Sequence, residues 1–270
     1  MTISLEAIFM KKYKAAVFFD LDKTLLSPQK HVYKENIEAI NKLKNNGILP
    51  VISTGKNQYE LNEIIKESGI KTIVGSNGAD LFIGNSHLYQ VPISTEILEN
   101  ISLEAYRDNI ALAYHSSAGV AVSLNNKYTK SLFTEMHRPI PPVIPEYYYT
   151  HKILMLLVFI PASNNLLELK YRKKFINLNF MRNSKVTIDT VAQKISKAYG
   201  IKKLLSLPEL SGIHTFAFGD GDNDISMLKS VDTGIAMGNS STNVTKVADY
   251  MTDDYRSNGI PKALSHFNLI

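Results

Sequence analysis

The segment Asp20-Leu21-Asp22-Lys23-Thr24 places two carboxylates two positions apart, directly after the apolar run Ala15-Ala16-Val17-Phe18-Phe19. That run reads as a buried strand. An ionised carboxylate is costly to desolvate without partners, so a core would not select a pair of them at a strand's end. In open α/β sheets the carboxyl ends of strands are where ligands bind. The pair therefore marks a candidate active site.

Other strand ends carry polar groups as well. The apolar stretch Ile48 to Ser53 runs into Ser53-Thr54-Gly55-Lys56, and His214 to Phe218 runs into Gly219-Asp220-Gly221-Asp222-Asn223-Asp224. Lys197 sits at the start of a helical pattern. Together these supply carboxylates, a hydroxyl with adjacent backbone N–H groups, and an ammonium. That inventory suits phosphoryl transfer. Carboxylates without histidine or cysteine favour a hard cation, Mg²⁺ above all. A hydroxyl and N–H groups at a helix start bind phosphate oxygens. A lysine compensates charge on the transferring group. One aspartate can attack phosphorus, and the other can protonate the leaving oxygen and then activate water.

The elements that must position these groups alternate. Residues 15–19, 48–53 and 70–74 read as strands, and 33–46 and 57–68 as helices, with Ile37, Ile40 and Leu43 at helical spacing. This alternation argues for a parallel sheet in a doubly wound α/β fold. The rhythm changes after Asn77-Gly78-Ala79. A hairpin is expected over 80–92, with strands Asp80 to Ile83 and His87 to Val91, followed by helices at 94–107 and 163–173 and strands at 110–114, 119–124, 153–160 and 175–180. Pro139 to Pro145 reads as a loop. Alternation returns with a helix at 196–207, the strand 214–218, a helix through Lys229, the strand 233–237 and a closing helix pair. The first and last thirds thus form one sheet interrupted by an insertion: a core of 1–82 and 184–270, and an inserted α/β unit of 83–183.

Composition narrows the function classes. The 270 residues are 44% hydrophobic and 20% charged, which is ordinary for a globular chain. With no cysteine, disulfides, thiolate metal sites and cysteine nucleophiles are excluded. No apolar run reaches the roughly 18 residues of a membrane span. Met1 to Met10 includes Glu6 and lacks a basic segment followed by a long apolar one, so a soluble cytoplasmic protein is expected. The net charge of +5 reads as solvated lysine-bearing helix faces, Lys170-Tyr171-Arg172-Lys173-Lys174 included, with no nucleic-acid or membrane partner.

In order, the four motifs resemble those of the haloacid dehalogenase superfamily. Asp20 to Leu26 matches D-x-D-x-T, Ser53-Thr54-Gly55-Lys56 resembles the second motif, Ile195-Ser196-Lys197 the third, and Gly219 to Asp224 matches G-D-x-x-N-D. Asn77-Gly78-Ala79 and Gly234 to Asn239 resemble the Cof-type subgroup, whose large α/β cap lies where this chain has its insertion. The resemblance implies a Rossmann-like core with a substrate-selecting cap and a Mg²⁺-dependent phosphatase of small phosphorylated metabolites, sugar phosphates first. It implies Asp20 as nucleophile and metal ligand, and Asp22 as general acid/base offering its backbone carbonyl to the metal. Thr54, Gly55 and Asn223 would bind phosphate, Lys197 would neutralise nucleophile and phosphate, and Asp220 and Asp224 would complete the metal site. Lys23 stands where many members have glycine, and Lys56 where arginine is usual.

Each residue has a plainer reading. Thr54 can be a helix cap, Lys197 a solvated lysine with Lys194 as its rival, and Asp222 a cap. His115, His137 and His151 can be core or surface histidines, and Tyr147-Tyr148-Tyr149 packing within the insertion. A phosphomutase of the same superfamily is the alternative enzyme. A phospho-receiver module is the alternative of another class, disfavoured by Asp22 and by the insertion.

Overall fold

Ala15–Phe19 forms a strand, β1, that is buried throughout, as an unbroken apolar run demands of a strand covered on both faces. The computed structural model describes residues 12–136, 138–182 and 184–270. Met1 to Met10 and His137 lie outside the described residues. Two units separate by their contacts. One comprises the described residues up to Lys56 with Glu60–Tyr89 and Ser196–Ile270, the other Asn57–Tyr59 with Gln90–Ile195.

The first unit is built on an eight-stranded sheet. Its strands are β1, β2 (Ile48–Ser53), β3 (Thr72–Gly75), β4 (Asp80–Ile83), β5 (Ser86–Gln90), β11 (His214–Gly219), β12 (Thr233–Ala236) and β13 (Tyr250–Met251), in the order β13-β12-β11-β1-β2-β3-β4-β5. The pairs from β13 to β3 are parallel, and β4 turns back antiparallel on β3. Side chains alternate between two apolar layers. Val17 and Phe19 join one that takes in Ile40 and Leu43 of α1 (Lys34–Asn45). Ala16 and Phe18 join another, with Ile201 and Leu204 of α6 (Lys197–Leu205). Helices on both faces of a mostly parallel sheet make the doubly wound architecture.

The second unit has its own sheet of β6 (Leu112–His115), β7 (Val120–Val122), β8 (Met155–Val158), β9 (Leu178–Arg182) and β10 (Ile188–Ala192), ordered β7-β6-β8-β10-β9 and antiparallel at every pair. Leu98 and Ile101 of α3 (Thr95–Arg107) and Tyr171 of α5 (Asn165–Lys174) pack with Leu112, Leu156 and Ile188. The unit boundaries differ from the expected 82/83 and 183/184. β5 extends the large sheet past residue 83, and β10 pairs within the small sheet past residue 183. Among the described residues no helix is long and apolar enough to cross a membrane.

Several expected elements differ in detail. The helix expected over 57–68 is a 3-10 turn at Gln58–Glu60 followed by α2 (Asn62–Ser68). The helix expected through Lys229 is α7 (Ile225–Leu228), and the closing helix pair is α8 (Thr242–Thr245) and α9 (Gly259–His266), with β13 between them. A helix at Lys127–Glu135, α4, was not anticipated. Its apolar positions are sparse, and its signal is a capping box in which Asn126 accepts the Thr129 N–H and Thr129 answers the Asn126 N–H. β10 was missed because buried Asp189 breaks its apolar run.

Two glycines let α6 approach the turn after β3. A Cβ on Gly78, which has φ +95°, would lie 2.0 Å from the Ser196 carbonyl oxygen. A Cβ on Gly200 would lie 2.3 Å from Val74 Cγ1 and 3.0 Å from Gly78 Cα. The same turn donates the Asn77 N–H to the Thr54 carbonyl and the Ser76 N–H to the Lys56 carbonyl, each at 2.9 Å. It thus locates both the loop after β2 and the helix that begins with Lys197.

Gly200→Ala overpacks the α6 contact and should lower stability by about 2 kcal/mol, read as a lower urea midpoint; an unchanged midpoint would contradict the close approach. In the second unit, Lys170 and Lys174 hydrogen-bond Glu104 at 2.7 and 2.5 Å and draw its carboxyl down from 4.5 to about 2. A lowered folded value makes the contribution complete above about pH 4.5 and lost as the pH falls towards 2. Glu104→Gln should cost about 1 kcal/mol at pH 7, and the deficit should shrink in unfolding curves at pH 3.

Candidate active site

The register of β1 decides where the carboxylates land. Phe19 pairs with Phe218 of β11 and with Ile52 of β2. The next residue on each strand is therefore Asp20, Gly219 or Ser53, at one level along the sheet. The Asp20 N–H extends the ladder by donating to the Phe218 carbonyl at 3.0 Å. The loops leaving β1, β2 and β11 thus start side by side.

Lys197 is the first residue of α6, and its N-cap Ser196 accepts the Tyr199 N–H at 3.2 Å. The lysine is 1% exposed. Its Nζ donates to Asp20 Oδ1 at 2.5 Å and to Asp224 Oδ1 at 2.6 Å. Asp224 Oδ2 accepts the Asp220 and Gly221 N–H groups, each at 3.0 Å. Both Asp224 oxygens are therefore engaged in holding Lys197 and the loop. The Thr24 hydroxyl donates to Asp220 Oδ1 at 2.9 Å. Carboxylate oxygens of Asp20, Asp220 and Asp224 lie within 4.8 Å of one another.

Burial and crowding set the charges. Burial, then the Asp224 charge, pushes the Asp20 carboxyl up to about 8 against the pull of Lys197. Burial and Asp224 likewise raise Asp220 to about 6. For Lys197, burial alone would favour the neutral amine, but Asp20 and Asp224 outweigh it and hold the ammonium above its ordinary range. Asp22 moves the other way. Burial would raise it, yet Lys56 and Lys30 hold it far below the usual carboxylate range. Lys30 donates to Asp22 Oδ1 at 2.6 Å, and Lys56 donates to Oδ2.

Thr54 is buried. Its N–H donates to the Val74 carbonyl at 2.9 Å, and its Oγ1 accepts the Lys56 N–H at 3.2 Å. The hydroxyl proton is thereby left for another acceptor. Gly55 and Asn223 are half-buried in the loops after β2 and β11. Asp222 is exposed and accepts from Ser241 at 2.7 Å and Asn243 at 3.2 Å, which ties it to the start of α8. Lys194 is exposed, while Lys197 is the lysine between the carboxylates. In the second unit His115 is buried near Asn57 at 3.4 Å, and His151 stacks on Tyr147 with ring centroids 3.8 Å apart. Tyr147 belongs to that unit's apolar core.

Two residues of the site escaped sequence reasoning. Thr24 was seen in the first motif but given no task, and its hydroxyl steadies Asp220. Lys30 had no motif at all. Its signal is only that a cation lies eight positions beyond Asp22, in a loop that closes with the Lys30 N–H on the Ser27 carbonyl.

The family model for haloacid dehalogenase-like hydrolases matches residues 17–264. The 5-amino-6-(5-phospho-D-ribitylamino)uracil phosphatase YcsE of Bacillus subtilis is 26% identical over 258 residues, covering 94% of this chain and 95% of that protein. Among solved structures, BT1666 of Bacteroides thetaiotaomicron, one of the phosphatases of the haloalkanoate (HAD) enzyme superfamily, is 28% identical, with a TM-score of 0.88 and 97% of both chains covered. The HAD subclass IIB sugar phosphatase BT4131 is 27% identical, with a TM-score of 0.84, covering 95% of this chain and 100% of its own.

Removing the ammonium tests its part in the site. Lys197→Met leaves Asp20 and Asp224 buried against each other and should cost about 3 kcal/mol of stability. Thermal unfolding of the metal-free protein would read the loss, and a variant as stable as the parent would contradict it.

Proposed function

The chain belongs to the haloacid dehalogenase-like hydrolase family, and from that premise we propose that it is a Mg²⁺-dependent phosphatase of small phosphorylated metabolites, sugar phosphates foremost. One observation carries the reading: a buried Lys197 bridges Asp20 and Asp224 beside Asp220 at the carboxyl ends of adjacent parallel strands. The substrate class is supported by relatives whose names specify a phosphoribitylamino-uracil and a sugar.

In this proposal Asp20 attacks phosphorus. An oxygen of its carboxylate forms the new bond as the P–O bond to the leaving group breaks, and Asp22 gives that leaving oxygen a proton. Asp22 then takes a proton from a water that attacks the aspartyl phosphate, releasing inorganic phosphate and restoring the Asp20 carboxylate. Both Asp22 oxygens rest on lysines, so acting as an acid requires exchanging those partners for the leaving oxygen. Lys197 keeps the nucleophile in place and offsets phosphoryl charge. The Thr54 hydroxyl and the Gly55 N–H offer donors to phosphoryl oxygens, with Asn223 as a further amide at the same end of the sheet. Selection among substrates is assigned to the second unit on the resemblance alone.

The donor set fits Mg²⁺, because clustered carboxylate oxygens suit a hard cation. Asp20, Asp220 and the Asp22 main-chain carbonyl would hold it, with Asp224 committed to Lys197 and the loop amides. When bound, the ion would neutralise charge between these carboxylates and an incoming phosphate.

Phosphate release over a panel of phosphorylated metabolites tests the proposal. Activity should require Mg²⁺, vanish with a chelator and return on repletion. Asp20→Asn should lower turnover by at least about 10³-fold, the scale at which loss of a nucleophile is felt. Normal metal-dependent turnover in that variant would contradict the mechanism.

A further inference from the structure

Two lysines converge on Asp22 from different loops. Lys30 Nζ donates to Oδ1 at 2.6 Å, and Lys56 Nζ donates to Oδ2. Among the described residues neither lysine makes an ion pair with a second carboxylate. Glu67 meets the same loop as Lys30 but is taken by His31 Nδ1 at 2.6 Å and by the Val32 N–H at 2.9 Å. Two cations therefore share one anion, which leaves a surplus of positive charge beside Asp22. All three residues belong to the first unit.

Both lysines sit on constrained backbone. Lys30 lies in the left-handed region at φ +67°, a state that persists only where the surroundings over-determine it. Its N–H donates to the Ser27 carbonyl at 2.9 Å, and the Ser27 N–H donates to the His31 carbonyl at 2.8 Å. The Lys56 N–H donates to Thr54 Oγ1 at 3.2 Å, and the Lys56 carbonyl accepts the Ser76 N–H at 2.9 Å. The Lys56 side chain is 13% exposed, so its ammonium has few waters to turn to when Asp22 lets go.

We propose that Lys30 and Lys56 form an anion subsite on the leaving-group side of Asp22, and that the preferred substrates are phosphomonoesters whose leaving alcohol carries a second anionic group close to the scissile oxygen. The inference deepens the phosphatase reading and rests on it. In that reading an Asp22 oxygen meets the leaving oxygen, which lies in line with the attacking oxygen of Asp20. Groups bonded to Asp22 therefore stand on the leaving-group side. Lys30 Nζ, 2.6 Å from Asp22, lies within about 5 Å of an oxygen hydrogen-bonded to that carboxylate. A carboxylate one or two carbons from the scissile oxygen falls within that reach. When Asp22 turns an oxygen to the leaving group, the ammonium it held needs another anion. A substrate anion supplies one, whereas a neutral alcohol leaves the ammonium without its partner.

Matched substrates test this. Phosphate release in Mg²⁺ is compared between 3-phosphoglycerate and glycerol 3-phosphate, and between 2-phosphoglycerate and glycerol 2-phosphate. Each pair differs by a carboxylate in place of a hydroxymethyl group. The wild type should favour the carboxylate member by at least about 10-fold in kcat/KM, the scale of a charge-assisted hydrogen bond. Lys30→Gln should lower that ratio about 5-fold, and Lys30→Arg should keep it within about 2-fold. Lys56→Gln repeats the comparison from the other loop. A wild-type ratio near 1 would overturn the proposal. So would an unchanged ratio in Lys30→Gln with both substrates slowed alike, since the lysines would then serve the phosphoryl group itself. Calorimetric titration of Asp20→Asn with the same compounds separates this inference from the reading beneath it. If the wild type releases no phosphate, yet Asp20→Asn binds 3-phosphoglycerate about 10-fold tighter than glycerol 3-phosphate and loses that margin on adding Lys30→Gln, the phosphatase reading falls and the anion subsite stands. If that margin is absent, both fall.

Discussion

The ammonium of Lys197 sits between two buried carboxylates, and the rest of the first unit is arranged around that contact. Asp20, Asp220 and Asp224 crowd the ends of neighbouring strands with oxygens within 4.8 Å. At such distances like charges repel by several kcal/mol even at an effective dielectric of about 20. One cation shared by Asp20 and Asp224 offsets part of that repulsion, while burial and Asp224 still push the Asp20 carboxyl up to about 8. The register of β1 against β11 and β2 sets the carboxylates level, and the close approach at Gly78 and Gly200 brings the start of α6 within reach. A Cβ at Gly78 would strike the Ser196 carbonyl beside Lys197, and one at Gly200 would strike Val74 of β3.

The two aspartates of the first motif are neighbours in sequence but not in electrostatics. Asp20 is driven up to about 8 by burial and by Asp224, whereas Asp22 is held far down by Lys56 and Lys30. The free site thus separates the pair, and the proposed cycle reverses both states: a cation beside Asp20 would restore its carboxylate, and Asp22 must leave its lysines to carry a proton. Here the division is set by partners from three different loops rather than by the motif itself. Asp224, expected among the metal ligands, has both oxygens spent on Lys197 and two backbone amides. We therefore assign it to hold the lysine and the loop.

Much of this was legible in the sequence because the relevant signals are local. A buried parallel strand announces itself as an apolar run, and a carboxylate after it stands out, so β1, β2 and β11 and the polar groups that follow them could be read directly. What escaped depends on contacts between distant segments. Thr24 meets Asp220 and Asn239 meets Lys23 across about 200 residues of chain, and no spacing rule reports such a pairing. Lys30 looks like any loop lysine until it is seen against Asp22. Likewise α4 hides behind a sparse apolar pattern and β10 behind a buried charge, since in both packing overrides local preference. At Lys23 the backbone is left-handed, a conformation glycine takes without strain, and the bonds from Thr24, Leu25 and Leu26 to the Leu21 carbonyl span it.

The central claim is that the carboxylate gripped by Lys197 becomes the covalent phosphoryl acceptor. Acid-quenching the enzyme during turnover of an active phosphorylated substrate, followed by peptide mass analysis, tests it most directly. The account predicts an acid-stable, base-labile phosphoryl group on the peptide containing Asp20, and none in Asp20→Asn. Turnover with no phosphorylated aspartate, or with the phosphoryl group on another residue, would contradict it.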